Sequence, residues 1–397
     1  MFQHVPAFPG DPILSLNEDF QQDPRAGKVN LGIGIYFDDA GRLPVMAAVR
    51  EAEEGLARDI GPRPYLPMEG AAAYRAAVQQ LVFGSRSEAV RTGRIATLQT
   101  PGGSGALRVG SDFLKTYFGT SQVWISDPSW DNHRAIFEGS GFKVKAYPYY
   151  DAATGGVRFD EMLGAIGALP ARSIVLLHAC CHNPTGVDLT RAQWAELVAV
   201  LQERQLVPFL DMAYQGFGDG LEEDAFAIRA MAAAGLRFFV ANSFSKNFSL
   251  YGERCGALSV VCADEAEAQR VLGQLKSAVR RNYSNPPTYG ARVVAAVLNT
   301  PALRERWQEE LQAMRARIHA MRGQLRAGLE SRLPGRDFSC FTRQRGMFSY
   351  TGLAPQQVQR LRESHGVYLV GSGRMCVAGL SVRNIEVVAD AMADVLA

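Results

Sequence analysis

Between about residues 95 and 262, short apolar runs alternate with stretches whose apolar positions recur every three or four residues. The runs are Ile95–Leu98, Val123–Ser126, Lys143–Tyr147, Ser173–His178, Val207–Leu210, Arg237–Asn242 and Gly256–Val261. Strands alternating with helices predict an α/β domain, here with a mostly parallel seven-stranded sheet flanked by helices. Most runs end in small or polar residues: Thr100–Pro101, Asp127–Pro128, His182–Asn183, Asp211 and Ser243–Lys246. In open α/β sheets ligands bind beyond the carboxyl ends of the strands, so chemistry is expected there. Farther on, Leu303, Trp307, Leu311, Met314, Ile318, Met321, Leu325 and Leu329 stand three or four apart and predict one long amphipathic helix. Beyond it, Phe338–Phe341, Met347–Tyr350, Val367–Val370 and Met375–Leu380 are expected to form a small sheet with flanking helices, joined by the start of the chain through Asn30–Tyr36. The expected division is an arm and the first part of a smaller α/β domain over 1–42, a large domain over 43–310, and the rest of the small domain over 311–397, so that the small domain is built from both chain ends.

Composition narrows the class. The chain has 397 residues, 47% of them apolar and 21% charged, which is ordinary for globular proteins and excludes disordered and fibrous architectures. Its 42 basic and 40 acidic residues leave a charge of +2, too small to mark the whole protein as a nucleic-acid binder. Every uncharged stretch is shorter than the ~18 residues of a membrane span, and the first dozen residues lack the basic and apolar regions of a secretion signal. A cytoplasmic protein without membrane association is expected. The six cysteines form no C-x-x-C pair, which argues against a disulfide framework or a metal site; Cys180 and Cys181 are expected to be packed thiols.

Four strand ends carry candidate chemistry. Pro101-Gly102-Gly103-Ser104-Gly105 follows a strand and opens a helix, where glycines let backbone N–H groups approach an anion. It lacks the Gly-Lys-Ser/Thr of a Walker loop. His182-Asn183-Pro184-Thr185-Gly186 sets an amide in a turn fixed by Pro184 and Gly186. Asp211, with Tyr214 three residues on, places a carboxylate at the end of a buried strand, where it needs a cationic partner or several donors. Ser243-Phe244-Ser245-Lys246 offers an amine after two hydroxyls, with Arg254 eight residues further. Each feature alone is common as a turn, a helix cap or a solvated surface residue. Together they match what pyridoxal phosphate requires: an amine for covalent anchorage, anion contacts for the phosphate and a carboxylate facing the pyridine nitrogen.

At this point the sequence resembles a fold-type I pyridoxal enzyme of the class I aspartate aminotransferase family over essentially its whole length. The resemblance rests on an ordered set: Tyr65-Leu66-Pro67-Met68-Glu69-Gly70, the glycine-rich turn, Asp127-Pro128-Ser129-Trp130-Asp131-Asn132-His133, Cys180-Cys181-His182-Asn183, Asp211-Met212-Ala213-Tyr214, Ser243 to Lys246, Gly252-Glu253-Arg254 and Ser372-Gly373-Arg374. It implies a large domain that binds pyridoxal 5'-phosphate. Lys246 would anchor the cofactor and move a proton. Asp211 would face the pyridine nitrogen, with His133 and His178 orienting it. Tyr214 and Asn183 would meet the phenolic oxygen and Trp130 would stack on the ring. Gly103, Ser104, Ser243, Ser245 and Arg254 would cup the phosphate. The resemblance further implies a homodimer with shared active sites, in which Tyr65 reaches the neighbouring subunit's phosphate. Arg374 would clamp the substrate α-carboxylate with Gly34 and Asn183 beside it, and Trp130 and Tyr65 would also border the substrate. Arg280, favoured over its neighbour Arg281 by its spacing to the Tyr283-Ser284-Asn285-Pro286-Pro287 run, would meet a side-chain carboxylate across the dimer.

Details of these motifs, among them Gly373-Arg374-Met375-Cys376-Val377-Ala378, are similar to the bacterial aromatic (tyrosine) branch. The expected activity is ping-pong transfer of the amino group from tyrosine or phenylalanine, and also aspartate, to 2-oxoglutarate, giving the aryl-pyruvate and glutamate. The runner-up is an aspartate aminotransferase with dicarboxylate preference. A pyridoxal decarboxylase or β-lyase would share Lys246, Asp211 and Arg254 but would not need both Arg374 and Arg280.

Overall fold

The computed structural model describes residues 1–8, 10–58 and 61–397. A seven-stranded sheet forms in the order Ile95–Pro101, Cys255–Val261, Phe238–Ser243, Val207–Met212, Ile174–His178, Val123–Asp127 and Val144–Pro148. All pairings are parallel except the two made by Cys255–Val261, which runs antiparallel to both neighbours. Residues of Phe238–Ser243 and Cys255–Val261 are buried throughout, as continuous apolar runs covered on both faces should be. Helix Gly102–Tyr117 lies against these strands through Leu107, Phe113 and Leu114, and the rings of Phe209 and Phe239 meet at 5.3 Å within the same core.

Internal contacts divide the chain into two compact units. The larger comprises Val45–Asn183 and Val187–Ala316 and contains the sheet; the smaller comprises Met1–Pro44, Pro184–Gly186 and Arg317–Ala397. The apolar positions from Leu303 to Leu329 do form one helix, Pro301–Arg332. Trp307 and Leu311 are buried by its first half and Leu325 and Leu329 by its second.

The smaller unit departs from expectation in one segment. Phe338–Phe341 is not a strand: Asp337 accepts from both the backbone N–H and the hydroxyl of Ser339, and a turn leads into the short helix Cys340–Arg343. Asp and Ser compete for backbone groups in this way, and Phe338 and Phe341, three apart, share one side of the turn rather than alternating across a strand. The remaining strands make two separate ladders rather than one sheet. Val29–Asn30 pairs in parallel with Val367–Tyr368, and Phe348–Tyr350 pairs antiparallel with Arg374–Cys376. Among the described residues, no helix is long and apolar enough to cross a membrane.

Candidate active site

In the larger unit, the antiparallel strand Cys255–Val261 organises the anion cradle. Its start lies opposite the ends of both neighbours, with Cys255 paired to Pro101 and Gly256 to Ser243. Arg254 therefore arrives at the edge where Gly102, Gly103 and Ser104 open their helix and where Ser243 and Ser245 follow theirs. Ser243 donates to Ser245 Oγ at 3.1 Å, and Arg254 Nη1 donates to Ser245 Oγ at 3.3 Å. The first N–H groups of the 16-residue helix Gly102–Tyr117 have no intrahelical acceptor, so hydroxyls, a guanidinium and a helix N-terminus converge on one spot suited to a phosphate.

This convergence depends on backbones that touch. A Cβ on Gly256 would lie 2.4 Å from the Gly102 carbonyl carbon and 2.8 Å from the Asn242 oxygen, both backbone atoms that cannot rotate aside. Gly256→Ala is expected to cost about 3 kcal/mol, as overpacking against backbone does, and to weaken phosphate binding. A urea midpoint unchanged from the parent would refute this.

Two strands away sits the acid. Asp211, 6% exposed, ends Val207–Met212 and accepts from His133 Nε2 at 2.8 Å. The opposite ring nitrogen of His133 meets Ser129 Oγ at 2.9 Å, which fixes the ring plane. Burial pushes the Asp211 carboxyl up, but the His133 hydrogen bond and the positive charge of Lys246 act the other way, and the group is held below its ordinary 3.8. Asp211 is thus an ionised carboxylate in a dry setting. Trp130 precedes helix Asp131–Gly139 and packs edge-on to His133 with ring centres 5.2 Å apart.

Behind the acid is a chain of rings. His178 lies 5.1 Å from His133 and 4.3 Å from His182, and His182 stacks on Tyr149 at 4.0 Å while meeting Ser126 Oγ at 2.9 Å. The His178 residue keeps some exposed surface, yet its Nε2 is shut off from solvent and has no hydrogen-bond partner among the described residues. Burial and the neighbouring His133 lower its pKa from 6.5 to about 3, and His182 is lowered in the same direction. Both rings are neutral when folded and take up protons when unfolded below pH 6.5. Their contribution to stability is complete above pH 6.5 and is lost as the pH falls toward 3. The protein is expected to be about 2 kcal/mol less stable at pH 5 than at pH 7.5 from His178 alone. Urea unfolding at the two pH values, with His178→Gln flattening the difference, checks this.

The third group joins Asn183, Tyr214 and Lys246. Asn183 Nδ2 donates to the Tyr214 hydroxyl at 3.5 Å, both residues being buried, and Lys246 Nζ stands 5.0 Å from the centre of the Tyr214 ring. The turn after Lys246 is tied down where the Asn247 carbonyl accepts from Trp307 Nε1 at 2.7 Å.

The smaller unit brings together Arg374 and Gly34. Arg374 is 4% exposed, donates to the Gly32 carbonyl at 2.6 Å and lies 4.5 Å over the Phe348 ring; Gly34 has only 3.0 Å between its Cβ position and that ring. Tyr65 and Arg280 are left on the surface of the chain, Tyr65 at 89% exposure and Arg280 bonded to Ser284. The adjacent Arg281 lines a different surface cleft with Arg108 and Lys115. Sequence reasoning missed Ser129, Ser126, His182 as a ring partner, and Phe348. Ser129 stands four residues before His133 at a helix entrance, which is a usable signal; nothing in the sequence marks Phe348.

An anion cradle, an amine beside a phenol and a buried carboxylate lie at the carboxyl ends of an α/β sheet, where ligands of such folds bind. The chain belongs to the aminotransferase class I and II family, whose model matches residues 26–392. It is 60% identical to the tyrosine aminotransferase of Klebsiella pneumoniae and 54% identical to an aspartate aminotransferase of Pseudomonas aeruginosa, each covering 100% of both chains. Among solved structures, the aromatic-amino-acid aminotransferase of Burkholderia pseudomallei, covalently bound to pyridoxal phosphate, matches with a TM-score of 0.98 at 55% identity over 100% of both chains. The protein is accordingly an aminotransferase with a mixed α/β fold, and enzymes of this family act on amino acids and keto acids.

Proposed function

We propose that this chain is a pyridoxal-phosphate-dependent aromatic amino acid aminotransferase, which transfers the amino group of tyrosine or phenylalanine, and of aspartate, to 2-oxoglutarate. The observation that carries the reading is the meeting of the cradle at Gly102, Ser243, Ser245 and Arg254 with Lys246 and with the ionised, buried Asp211. These suit the phosphate, the aldehyde and the pyridine nitrogen of one small molecule, and the Burkholderia pseudomallei relative holds that molecule covalently. When bound, pyridoxal phosphate supplies an aldehyde for exchange with amines and a ring that accepts electrons from the substrate Cα–H bond.

The residues then have separate tasks. Gly103, Ser104, Ser243, Ser245 and Arg254 hold the phosphate, Arg254 by charge-assisted hydrogen bonds. Asp211 keeps a proton on the ring nitrogen, and His133 and His178 keep Asp211 oriented. Asn183 and Tyr214 would hydrogen-bond the phenolic oxygen, and Trp130 would stack on the ring. Lys246 Nζ would be the covalent anchor for the aldehyde, and as a free amine the group that moves a proton at the substrate Cα. Arg374, which shares the Phe348 ring with Gly34, would bind the α-carboxylate with a planar fork that a lysine lacks. The two compact units correspond in this reading to a large cofactor domain and a small substrate-clamping domain. We further assign a cytoplasmic homodimer, in which Tyr65 and Arg280 serve the neighbouring subunit's phosphate and side-chain carboxylate. Their surface placement in the single chain agrees with that.

The second reading, a plain aspartate aminotransferase, is favoured by the Pseudomonas aeruginosa relative. The ratio of kcat/KM for phenylalanine to that for aspartate decides. A ratio near or above one supports the aromatic assignment, and a value far below one reverses it. Equal yields of keto acid and glutamate, without carbon dioxide or ammonia, exclude a decarboxylase or lyase.

A further inference from the structure

Arg322 is buried to 1% exposure in helix Pro301–Arg332, within the smaller unit. Burying a guanidinium is costly unless it is fully engaged, so what it engages is informative. Nη1 donates to the Phe341 carbonyl at 3.0 Å and to Ser349 Oγ at 2.6 Å; Nη2 donates to the Gly346 and Phe348 carbonyls at 2.9 and 2.7 Å. All four acceptors belong to the segment that delivers the strand Phe348–Tyr350.

That strand is three residues long and, among the described residues, pairs only with Arg374–Cys376, with Tyr350 opposite Arg374 and Phe348 opposite Cys376. So short a two-stranded ladder does not hold its own position in water and takes it from its surroundings. Arg322 supplies the tie from one side. On the other, the Phe348 carbonyl stands 2.4 Å from where a Cβ on Gly186 would sit, so the glycine of the Asn183-Pro184-Thr185-Gly186 turn closes against the same carbonyl. The Phe348 ring is then fixed beneath the Arg374 guanidinium at 4.5 Å and against Gly34. Cation–π contact and hydrogen bonding to Gly32 together leave Arg374 one face on which to lie.

We infer that Arg322 is a positioning residue for Arg374: by clamping the carbonyls around Phe348 it sets the ring on which the Arg374 guanidinium rests, and so governs affinity for the carboxylate of the substrate. The inference rests on the proposed reading of Arg374 as the carboxylate clamp. A lysine, with one point of charge, does not span four oxygens set around a planar fork.

The test is a single-turnover reaction of the pyridoxal-phosphate holoenzyme with phenylalanine and with 2-phenylethylamine, which has the same ring and amine but no carboxylate. Arg322→Met is expected to raise the dissociation constant for phenylalanine about 10- to 100-fold and leave the rate with 2-phenylethylamine within about threefold of the parent, with Arg322→Lys between the two. Phe348→Leu, which keeps an apolar side chain, is expected to give the same selective loss and decides the matter if both Arg322 variants fail to fold. Equal losses with both substrates, or no loss with either, would overturn the inference. Arg374→Ala in the same assay separates the two layers. If it too loses both substrates equally, the clamp reading fails; if it alone is selective, only the role of Arg322 fails.

Discussion

Lys246→Ala is expected to lower kcat for amino transfer by more than ~10⁴-fold, the largest effect of any single substitution in this chain. General acid and base work at one proton is typically worth ~10²–10⁴-fold, and this residue is also assigned the covalent anchorage of the cofactor. The loss should come without unfolding. Lys246 lies in a turn whose position is held by other atoms, among them the Asn247 carbonyl bonded to Trp307 and the paired strand ends at Ser243 and Gly256. Borohydride reduction followed by peptide mapping gives the direct measurement. Cofactor should be fixed on Lys246 in the parent and nowhere in the variant, while circular dichroism stays unchanged. Activity within tenfold of the parent would refute the assignment.

Asp211→Asn is expected to be the next most damaging, at roughly 10²–10³ in kcat, the range for removal of one preorganised electrostatic group. The substitution keeps shape and leaves an oxygen to accept from His133 Nε2, so what it removes is the negative charge. Because Asp211 is held below its ordinary 3.8, it is ionised at any working pH, and the parent should show no activity loss from its titration above about pH 4. Binding of the phosphate end, governed by Arg254 and the two serines some strands away, should weaken little. A variant that loses cofactor and activity in proportion would show that Asp211 serves retention rather than chemistry.

Much of this is legible in the amino-acid sequence, for a physical reason. Strands buried on both faces must be apolar throughout, so runs such as Phe238–Ser243 and Cys255–Val261 stand out, while the edge strand Val144–Pro148, with Lys145 exposed, is marked only by its place in the alternation. The breaks at their carboxyl ends, such as Ser243 to Lys246 after Phe238–Ser243, are the places where polar residues can reach a ligand. The helix Pro301–Arg332 is equally plain, since its spacing from Leu303 to Leu329 persists over about seven turns. The failures share a cause as well. Phe338–Phe341 carries two aromatic residues and reads as a strand until Asp337 and Ser339 are seen to bend it. The two ladders of the smaller unit are two and three residues long, below the length at which alternation can be read. His182, Phe348 and Arg322 owe their importance to neighbours some 20 to 60 residues away, such as Ser126 for His182 and Ser349 for Arg322, and no local pattern announces a partner at that distance.

The antiparallel strand Cys255–Val261 has an energetic corollary. A parallel return would have required a crossover of a dozen or more residues and would have set Arg254 at the opposite end of the sheet from Lys246. The direct reversal instead encloses both in residues 244–254, pinned at each end by ladders buried at the centre of the sheet. The entropy of ordering that loop is therefore spent when the sheet assembles, not when a ligand arrives. A ligand with a phosphate and an aldehyde meets two groups already held at a fixed separation, and its binding free energy is not drained by organising the protein.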